Sequence, residues 1–235
     1  VQMFKQHDLL SINKDLVYKT LNSSGTSGQN VSKIYIDAAT AKRQSKFLSS
    51  ITKDFIGDTR LPMIIVDSNE LFKDRTKINA RAAGILGYSV FGRDHFYCLD
   101  KDLNLLANEL KDFLEKYKDQ PILIFGFTFI VWQSLLKQAI KQNLKLDFGK
   151  QSILIHGGGW KKLEDQKINN HEFKESLKKN LGINRIHNYY GMIEQVGSIF
   201  MECEYDHLHC PVYADIIIRD QINFNVNPNN KEGII

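Results

Sequence analysis

The stretch SILIHGGGW, residues 152–160, joins an apolar run to three consecutive glycines. Apolar residues bounded by glycine are typical of a buried strand that ends in a tight turn. Comparable strand patterns occur at residues 32–37, 63–67, 121–127 and 185–191. The chain is therefore expected to contain several short buried strands, and the strands at 152–160 and 185–191 are expected to run directly into glycine turns.

Helical patterns separate these strands, with apolar residues recurring every three or four positions. The helical segments are residues 38–56, 102–117, 128–142 and 171–180. Strands that alternate with helices form a mainly parallel sheet with helices on its faces. Beyond Ser198 the pattern changes to strands alone, at residues 199–205 and 212–220. The predicted fold class is α/β: a mainly parallel sheet flanked by helices, with a β-rich C-terminal portion.

The composition restricts the class of protein and its partners. The 235 residues are 43% hydrophobic, and the net charge of +4 is spread along the chain, so no nucleic-acid partner is indicated. No apolar run approaches 18 residues, so no membrane span is expected. Three cysteines, Cys98, Cys203 and Cys210, are too few for a disulfide framework and favour a cytoplasmic protein.

Both ends of the sequence suggest a piece of a longer protein. The chain begins with a valine, and it stops in EGII, where an apolar strand pattern starts. We therefore expect residues 1–235 to be one domain taken from a longer chain.

Glycine-bearing turns lie just after, or beside, three of the predicted strands, at residues 25–28, 157–159 and 191. In open parallel sheets, ligands bind outside the carboxyl ends of the strands. The shared placement of the three turns therefore predicts one ligand site rather than scattered loops.

The loop SSGTSG has the composition of a phosphate-binding loop. Its glycines let successive backbone N–H groups converge on an anion, and its hydroxyls add hydrogen-bond donors. It is not a Walker A element, because the position five residues after Gly25 is Asn30 and not a glycine. A mobile Ser/Gly turn is the alternative reading of this stretch alone. The residues concerned are Ser23, Ser24, Gly25, Thr26, Ser27 and Gly28.

The segment YYGMIEQ, residues 189–195, combines groups that suit a nucleotide and its metal ion. The ring of Tyr190 can stack on a base, Gly191 allows close backbone approach, and Glu194 can coordinate Mg²⁺. A core tyrosine and a surface glutamate are the structural alternatives. In the same way, the glycines at 157–159 allow a flat ligand to approach or simply make a tight turn.

Together, SSGTSG, HGGGW and NYYGMIEQ resemble the motifs of the adenylate-forming enzymes. Within that superfamily the sequence is most similar to the LuxE-type acyl-protein synthetases, and next to the phenylacetate–CoA ligases. The segments GGGWKK, YGMIEQ and ECEYDHLHCPVYADIIIRD carry the closer likeness. The resemblance covers the chain from about Tyr18 onward. It implies the core of the large N-terminal, ATP-binding domain, with an N-terminal flank and a C-terminal lid outside residues 1–235.

The resemblance also implies a role for each motif. The loop from Ser23 to Gly28 would cover the β- and γ-phosphates of ATP, and Gly157, Gly158 and Gly159 would line the adenine. Asn188, Tyr190 and Gly191 would complete the nucleotide site, with Tyr190 stacked on the base. Glu194 would bind Mg²⁺, and Thr26 and Glu194 would act in the chemistry. The implied reaction forms an acyl-adenylate from a carboxylic acid, with a fatty acid as the expected substrate, and then transfers the acyl group to a protein thiol.

Several alternatives stay open at this stage. A phenylacetate-type ligase would use the thiol of coenzyme A. A non-catalytic nucleotide or acyl binder is suggested by Ile193, which stands where the family has threonine. A serine hydrolase is less well supported, since Gly25–Gly28 is one residue short of a G-x-S-x-G elbow. The resemblance to the acyl-protein synthetases implies an acyl-reductase or an acyl-carrier protein as partner.

Two further segments allow two interpretations each. Cys203, His207, His209 and Cys210 have the residue types of a zinc site. Strand alternation puts Cys210 on the opposite side from the other three, so packing around a β-turn is favoured over zinc. The small apolar segment 81–92 suits either an acyl pocket or plain core packing, and core packing is slightly favoured.

Overall fold

A seven-stranded sheet forms the centre of the structure, a computed structural model that describes residues 2–23, 31–72, 80–160, 168–228 and 231–235. A separate antiparallel pair precedes it, β1 (Lys19–Asn22) and β2 (Lys33–Ile36). The strands of the large sheet are β3 (Leu61–Val66), β4 (Gly92–Tyr97), β5 (Leu123–Phe127), β6 (Ile153–Gly157), β7 (Arg185–Tyr190), β8 (Phe200–Glu202) and β9 (Leu208–His209). Their order is β4-β3-β5-β6-β7-β8-β9, and β3 to β7 are parallel while β8 and β9 are antiparallel.

Helices connect the parallel strands. They are α1 (Gln2–Gln6), α2 (Ala38–Ile56), α3 (Ala80–Ser89), α4 (Ala107–Lys116), α5 (Thr128–Ile130), α6 (Lys137–Lys141) and α7 (Asn170–Leu181). A π-helix, Val131–Leu136, joins α5 to α6, and short 3₁₀ turns occupy Lys14–Leu16 and Asn69–Phe72. None of the described helices has the length and apolar character needed to cross a bilayer.

The helices cover both faces of the sheet, which explains why its central strands are apolar throughout. Every residue of β3 and β5 is buried. On one face, Tyr88 of α3 stacks on Phe125 of β5, with ring centroids 4.5 Å apart. On the other face, Phe173 of α7 packs against Trp132 of the π-helix at 6.0 Å. The core therefore consists of two layers, one on each side of the sheet.

Local signals fix the ends of two long helices. The side chain of Asp37 accepts a hydrogen bond from the backbone N of Thr40 at 2.7 Å, and α2 ends before Gly57, whose φ is +83°. Asn169 caps α7 in the same way, and Gly182 closes it with φ +71°. Helix α7 corresponds to the helix predicted at 171–180.

The two outer strands of the sheet are irregular or short. Along β4, Pro62 of β3 pairs with Arg93 and Ile64 pairs with Phe96, so β4 contains one extra residue. Asp94, with φ +48°, lies in this bulge. At the opposite edge, β9 has only two residues, and both are exposed.

Most of the predicted elements are confirmed. The strands expected at 63–67, 121–127, 152–160 and 185–191 are β3, β5, β6 and β7, and the α/β fold class is correct. The strand expected at 32–37 is β2, although it pairs with β1 outside the large sheet.

The helix predicted at 102–117 begins later than expected, at Ala107. A loop precedes it because the carboxylate of Asp100 accepts hydrogen bonds from the backbone N atoms of Asp102 and Asn104, each at 2.8 Å. Leu103 then adopts φ +61°, which no helix accommodates. The periodic leucines at the start of the segment therefore belong to a loop.

The strand predicted at 212–220 is wrong. In this segment only Arg219 makes isolated bridges, to Val226 and to Ile234. The β-branched pattern is that of a strand, but a strand also needs a continuous ladder of partners, which the described residues do not supply. The side chains of Ile217 and Ile218 consequently stay partly exposed. The strand predicted at 199–205 is shorter than expected and ends at Glu202.

Candidate functional site

The carboxyl ends of four parallel strands lie along one edge of the large sheet. In sheet order, these ends carry Asp67 after β3, Thr128 after β5, Gly157 in β6 and Tyr190 in β7. The order of the strands reverses between β3 and β5, and such a reversal opens a crevice where ligands bind in folds of this class. Two of the three predicted glycine turns, 157–159 and 191, therefore follow neighbouring strands at this edge.

The third turn is described only at its base. Ser24, Gly25, Thr26, Ser27 and Gly28 lie outside the described residues. Ser23 is described, and its Oγ accepts a hydrogen bond from the backbone N of Ser32 at 2.9 Å. The backbone N of Ser23 donates to the carbonyl of Ser32 at 3.0 Å. These two bonds extend the β1–β2 pair by one residue on each strand, up to Ser23, where the predicted phosphate loop starts.

Each glycine of the 157–159 turn meets a different environment. Gly157 pairs with Tyr189 in the β6–β7 ladder, and a Cβ at this position would lie 2.6 Å from Cζ of the Tyr189 ring. Gly158 has φ +77°, a conformation that favours glycine. A Cβ on Gly159 would meet no atom of the described residues within 4 Å. The first two glycines are therefore required by the local structure, and the third has no described neighbour that would exclude a side chain.

We expect Gly157→Ala to lower the free energy of unfolding by about 1–3 kcal/mol, because the new methyl group forces the partly buried Tyr189 ring aside. Urea denaturation of the nucleotide-free protein measures this. Gly159→Ala is the matched control, and we expect it to stay within about 0.5 kcal/mol of the parent. Equal losses in the two variants would contradict this reading of the turn.

Consecutive tyrosines at the end of β7 point to opposite faces of the sheet. Tyr189 packs against Tyr88 and Phe125, and burial raises the pKa of its phenol to about 12. Tyr190 is 50% exposed, with its ring 6.3 Å from that of Phe200. Tyr190 is therefore the more exposed of the two tyrosines, whereas Tyr189 packs against the core. The stacking role of Tyr190 stays a prediction.

The residues after β7 form a compact turn. The backbone N of Gln195 donates to the carbonyl of Met192 at 3.1 Å, and Glu194 lies within this turn, partly buried. A Cβ on Gly191 would lie 3.2 Å from Cγ2 of Ile199, so the close approach that this glycine allows is to its own chain. Helix α2 supports the turn, since a Cβ on Gly197 would lie 3.2 Å from the Phe47 ring.

A single carboxylate is available for a metal ion in this turn. Within the described parts of the chain, no group of three or more His, Cys, Asp or Glu side chains could hold a metal ion. Mg²⁺ commonly takes one or two protein carboxylates together with phosphate oxygens, so Glu194 alone fits a metal ion that a nucleotide brings with it.

The structure does not bring the predicted zinc ligands into a metal site. The backbone N of Cys203 donates to the carbonyl of His207 at 2.9 Å, which closes a β-hairpin between β8 and β9. His207, His209 and Cys210 are exposed, and only Cys203 is partly buried. The alternative of packing around a β-turn describes this segment, and the zinc alternative is wrong.

A buried ion pair at the crevice was missed by sequence reasoning. Asp67 is 1% exposed, and its Oδ2 lies 3.0 Å from Nε of Arg81 on α3. Burial raises the pKa of the Asp67 carboxyl, and the nearby Arg81 guanidinium opposes this shift. Asp67 ends the apolar run MIIVD, and that position was the one signal available in the sequence. The pair fixes the start of α3 beside the end of β3.

A second missed group surrounds Glu202 in β8. This side chain is 4% exposed, and its Oε2 lies 3.0 Å from Nζ of Lys174 and accepts from the backbone N of Asn188 at 3.1 Å. The amide of Asn170 donates to the other oxygen, Oε1. Asn188, a predicted nucleotide-site residue, is therefore held by its backbone to β8. Glu202 joins β7, β8 and α7 through this one carboxylate.

The segment 81–92, which suited either an acyl pocket or the core, places one face of α3 in the core. Ala82, Ile85 and Tyr88 are almost completely buried. Gly84 brings α3 close to the site, because a Cβ there would lie 3.0 Å from the Phe127 ring and 3.7 Å from the hydroxyl of Tyr189. Core packing, the favoured interpretation of this segment, is confirmed.

Two surface grooves lie away from this edge. One, of about 460 Å³, lies between α4 and residues 145–149, and the other, of about 480 Å³, lies between α7, the start of β7 and the β8–β9 turn. Both are near the amino ends of the parallel strands. Neither includes a residue that the sequence predicted for the nucleotide site.

Comparison with known proteins gives one family and one fold. The family model described as "Acyl-protein synthetase, LuxE" matches residues 1–235. No curated protein matches the chain significantly. An open conformation of 2-hydroxyisobutyryl-CoA ligase, in complex with 2-HIB-AMP and CoA, has a TM-score of 0.60 at 14% identity, covering 94% of this chain and 44% of that one. ATP-bound MatB from Rhodopseudomonas palustris has a TM-score of 0.52 at 13% identity, covering 95% and 40%. These likenesses show the fold, and the chain spans less than half the length of these ligases.

Proposed function

The chain belongs to the LuxE acyl-protein synthetase family, and from this membership we propose that it carries the nucleotide-binding part of an enzyme that activates a carboxylic acid with ATP. The observation that carries the proposal is the pairing of Gly157 with Tyr189 at the ends of β6 and β7. The residues that follow are Gly158, in the turn after β6, and Tyr190, the last residue of β7, and neighbouring strands of a sheet lie about 4.8 Å apart. This arrangement can hold a flat base between the 157–159 glycine turn and the half-exposed ring of Tyr190.

The remaining predicted residues surround that position. The loop from Ser23 to Gly28 would bind the β- and γ-phosphates, with Thr26 among its donors, and its base is fixed by the two Ser23–Ser32 bonds. Glu194 would hold Mg²⁺. A bound magnesium ion supplies charge neutralisation at the phosphates. Asn188 and Gly191 would hold the strand end that carries Tyr190.

The proposed chemistry has two steps. A carboxylate oxygen attacks the α-phosphorus of ATP, the bond from that phosphorus to the bridging oxygen breaks, and pyrophosphate leaves with the electron pair. A thiolate then attacks the acyl carbonyl, and AMP leaves. Such chemistry depends mainly on positioning and on fixed donors around the phosphoryl group, which backbone N–H groups and hydroxyls provide.

Within this activity we propose a fatty acid as substrate and a protein thiol as acceptor, with an acyl-reductase or an acyl-carrier protein as partner. A phenylacetate-type ligase that uses coenzyme A is the alternative. The three cysteines are free thiols, which supports a cytoplasmic location. We also retain the proposal that residues 1–235 form the core of the ATP-binding domain and that the lid lies outside them.

A non-catalytic nucleotide binder is the second candidate function, and Ile193 favours it. A hydroxyl that donates to a charged phosphate contributes about 1.5–3 kcal/mol, so its absence would slow the reaction roughly ten- to hundredfold. Release of pyrophosphate in the presence of a panel of carboxylic acids separates the two candidates, because a binder releases none. Addition of CoA or of a protein thiol then identifies the acceptor.

Isothermal titration of the protein with ATP and Mg²⁺ tests the nucleotide site. We expect Tyr190→Ala to raise the Kd about tenfold or more, since stacking of a base on an aromatic ring contributes about 1–3 kcal/mol. Glu194→Ala should remove the dependence of the Kd on Mg²⁺.

Tyr205→Ala is the matched control for this titration. Tyr205 is 77% exposed and lies in the β8–β9 turn, at the opposite edge of the sheet from Tyr190. We expect it to leave the Kd unchanged. If Tyr190→Ala and Tyr205→Ala both bound ATP as the parent does, the adenine site would have to lie elsewhere.

A further inference from the structure

Four aromatic side chains form a buried cluster directly behind the 157–159 turn. Phe173 of α7 lies at its centre, with ring centroids 4.7 Å from His156, 6.0 Å from Trp132 and 6.4 Å from Trp160. Trp132 and Trp160 also meet edge to face at 6.0 Å. His156 and Trp160 flank the three glycines in sequence, so both ends of the turn are anchored in this cluster.

A hydrogen-bond network connects the cluster to the backbone of the turn. The hydroxyl of Thr128, at the start of α5, donates to the carbonyl of Gly157 at 3.1 Å and lies 3.0 Å from Nδ1 of His156. A hydroxyl carries one proton, so when that proton goes to Gly157 the imidazole donates its Nδ1 proton to Oγ1 of Thr128. All of these groups are buried. The carbonyl that begins the turn is thereby fixed to α5.

The cluster is not explained by stability alone. Nε1 of Trp132 and Nε2 of His156 are buried and have no hydrogen-bond partner among the described residues. Buried polar atoms without partners are costly, and apolar side chains of similar size would fill the same space without that cost. Trp132 also lies in the π-helix, an irregularity that is frequent at functional sites. The hydrogen bonds that polar atoms of the cluster do make, through Thr128, fix the backbone of the 157–159 turn.

We propose that Thr128, His156 and Trp160 are positioning residues that hold the 157–159 turn in the conformation that receives the nucleotide base. None of them needs to touch the ligand. They act through the carbonyl of Gly157 and through the chain on both sides of the glycines. The identity of the ligand rests on the proposed function, whereas the effect on the turn can be measured without a ligand.

Thr128→Val and Thr128→Ser test this inference. Valine has nearly the shape of threonine but no hydroxyl, and serine keeps the hydroxyl. Both tryptophans of the chain are in the cluster, so acrylamide quenching of tryptophan fluorescence reports on it directly. Without nucleotide, we expect the quenching constant of Thr128→Val to rise about twofold. In titrations with ATP and Mg²⁺, we expect its Kd to rise about tenfold, as the loss of one hydrogen bond implies. Thr128→Ser should restore both values to within about twofold of the parent.

Ile64→Val, a substitution in the fully buried centre of β3, is the control for a general loss of stability. It should lower the Tm and leave both the quenching constant and the Kd at the parent values. Unchanged quenching in Thr128→Val, or an equal change in Ile64→Val, would overturn the proposal. If the parent protein bound no ATP but Thr128→Val still raised the quenching, the proposed function would fail and the positioning of the turn would stand.

Discussion

Replacing Glu202 with alanine is expected to lower the free energy of unfolding by about 3–5 kcal/mol, the usual cost of removing one partner of a buried ion pair. Lys174, whose side chain is 17% exposed, would then keep Asp206 as its one ion-pair partner among the described residues, and Asp206 is half exposed. The backbone N of Asn188 and the amide of Asn170 would each lose an acceptor in the protein interior. Urea denaturation measures the loss.

Glu204→Ala is the control for this substitution, because Glu204 lies two residues further along the chain and is exposed. We expect it to change the free energy of unfolding by no more than about 0.5 kcal/mol. Glu202→Gln should fall between the two, since an amide oxygen still accepts from Asn188 but does not pair with a charged lysine. A loss below about 1 kcal/mol in Glu202→Ala would show that the three elements do not depend on this carboxylate.

Acidification from pH 7 to pH 3.5 is expected to reduce the free energy of unfolding by about 4 kcal/mol through His156 alone. Burial, together with the smaller effect of the charges of Lys174 and His187, lowers the pKa of this imidazole to about 3. In the unfolded chain the same group has a pKa near 6.5. Below pH 6.5 the imidazole of His156 is therefore protonated in the unfolded state but stays neutral in the folded state. The stabilisation is complete above pH 6.5 and is lost as the pH falls towards 3.

His156→Gln isolates this contribution, because glutamine does not titrate. Carboxylates also contribute to acid unfolding, since hydrogen bonds lower the pKa values of Asp37, Asp94 and Asp100 in the folded state. The informative quantity is therefore the difference in pH dependence between variant and parent. We expect a shallower decrease between pH 6.5 and pH 3.5 in His156→Gln, and an unaltered decrease in Ile64→Val. Parallel curves for His156→Gln and the parent would show that His156 is protonated in the native protein.

The elements around the proposed nucleotide site could be predicted because their signals are local. An apolar run followed by glycines defines β6, and alternation with periodic helices defines a parallel sheet. Once the strands are parallel, the 157–159 turn and Gly191 must lie at the same edge. Tyr190 ends β7 and Glu194 lies in the turn after it, as the strand pattern at 185–191 implies, while their roles toward a nucleotide stay predictions.

The groups that support the site could not be predicted, because each of them joins distant parts of the chain. Thr128 meets the carbonyl of Gly157 across 29 positions, and Asn170 meets Glu202 across 32. A buried glutamate inside a strand has no signature that separates it from an exposed one. The prediction of a strand at 212–220 is wrong for the opposite reason. The local sequence pattern is strong, but the described residues do not supply the neighbouring strands that a strand requires.

The two outer strands of the large sheet have a consequence for the behaviour of the protein at high concentration. An unpaired strand edge is a template on which a second molecule can add its own strand, and from which aggregates grow. Here β9 offers two residues, too few to register a partner, and the bulge at Asp94 breaks the outer edge of β4, where Arg93 and His95 add polar side chains. We therefore expect little strand pairing between the large sheets of neighbouring molecules in concentrated solution.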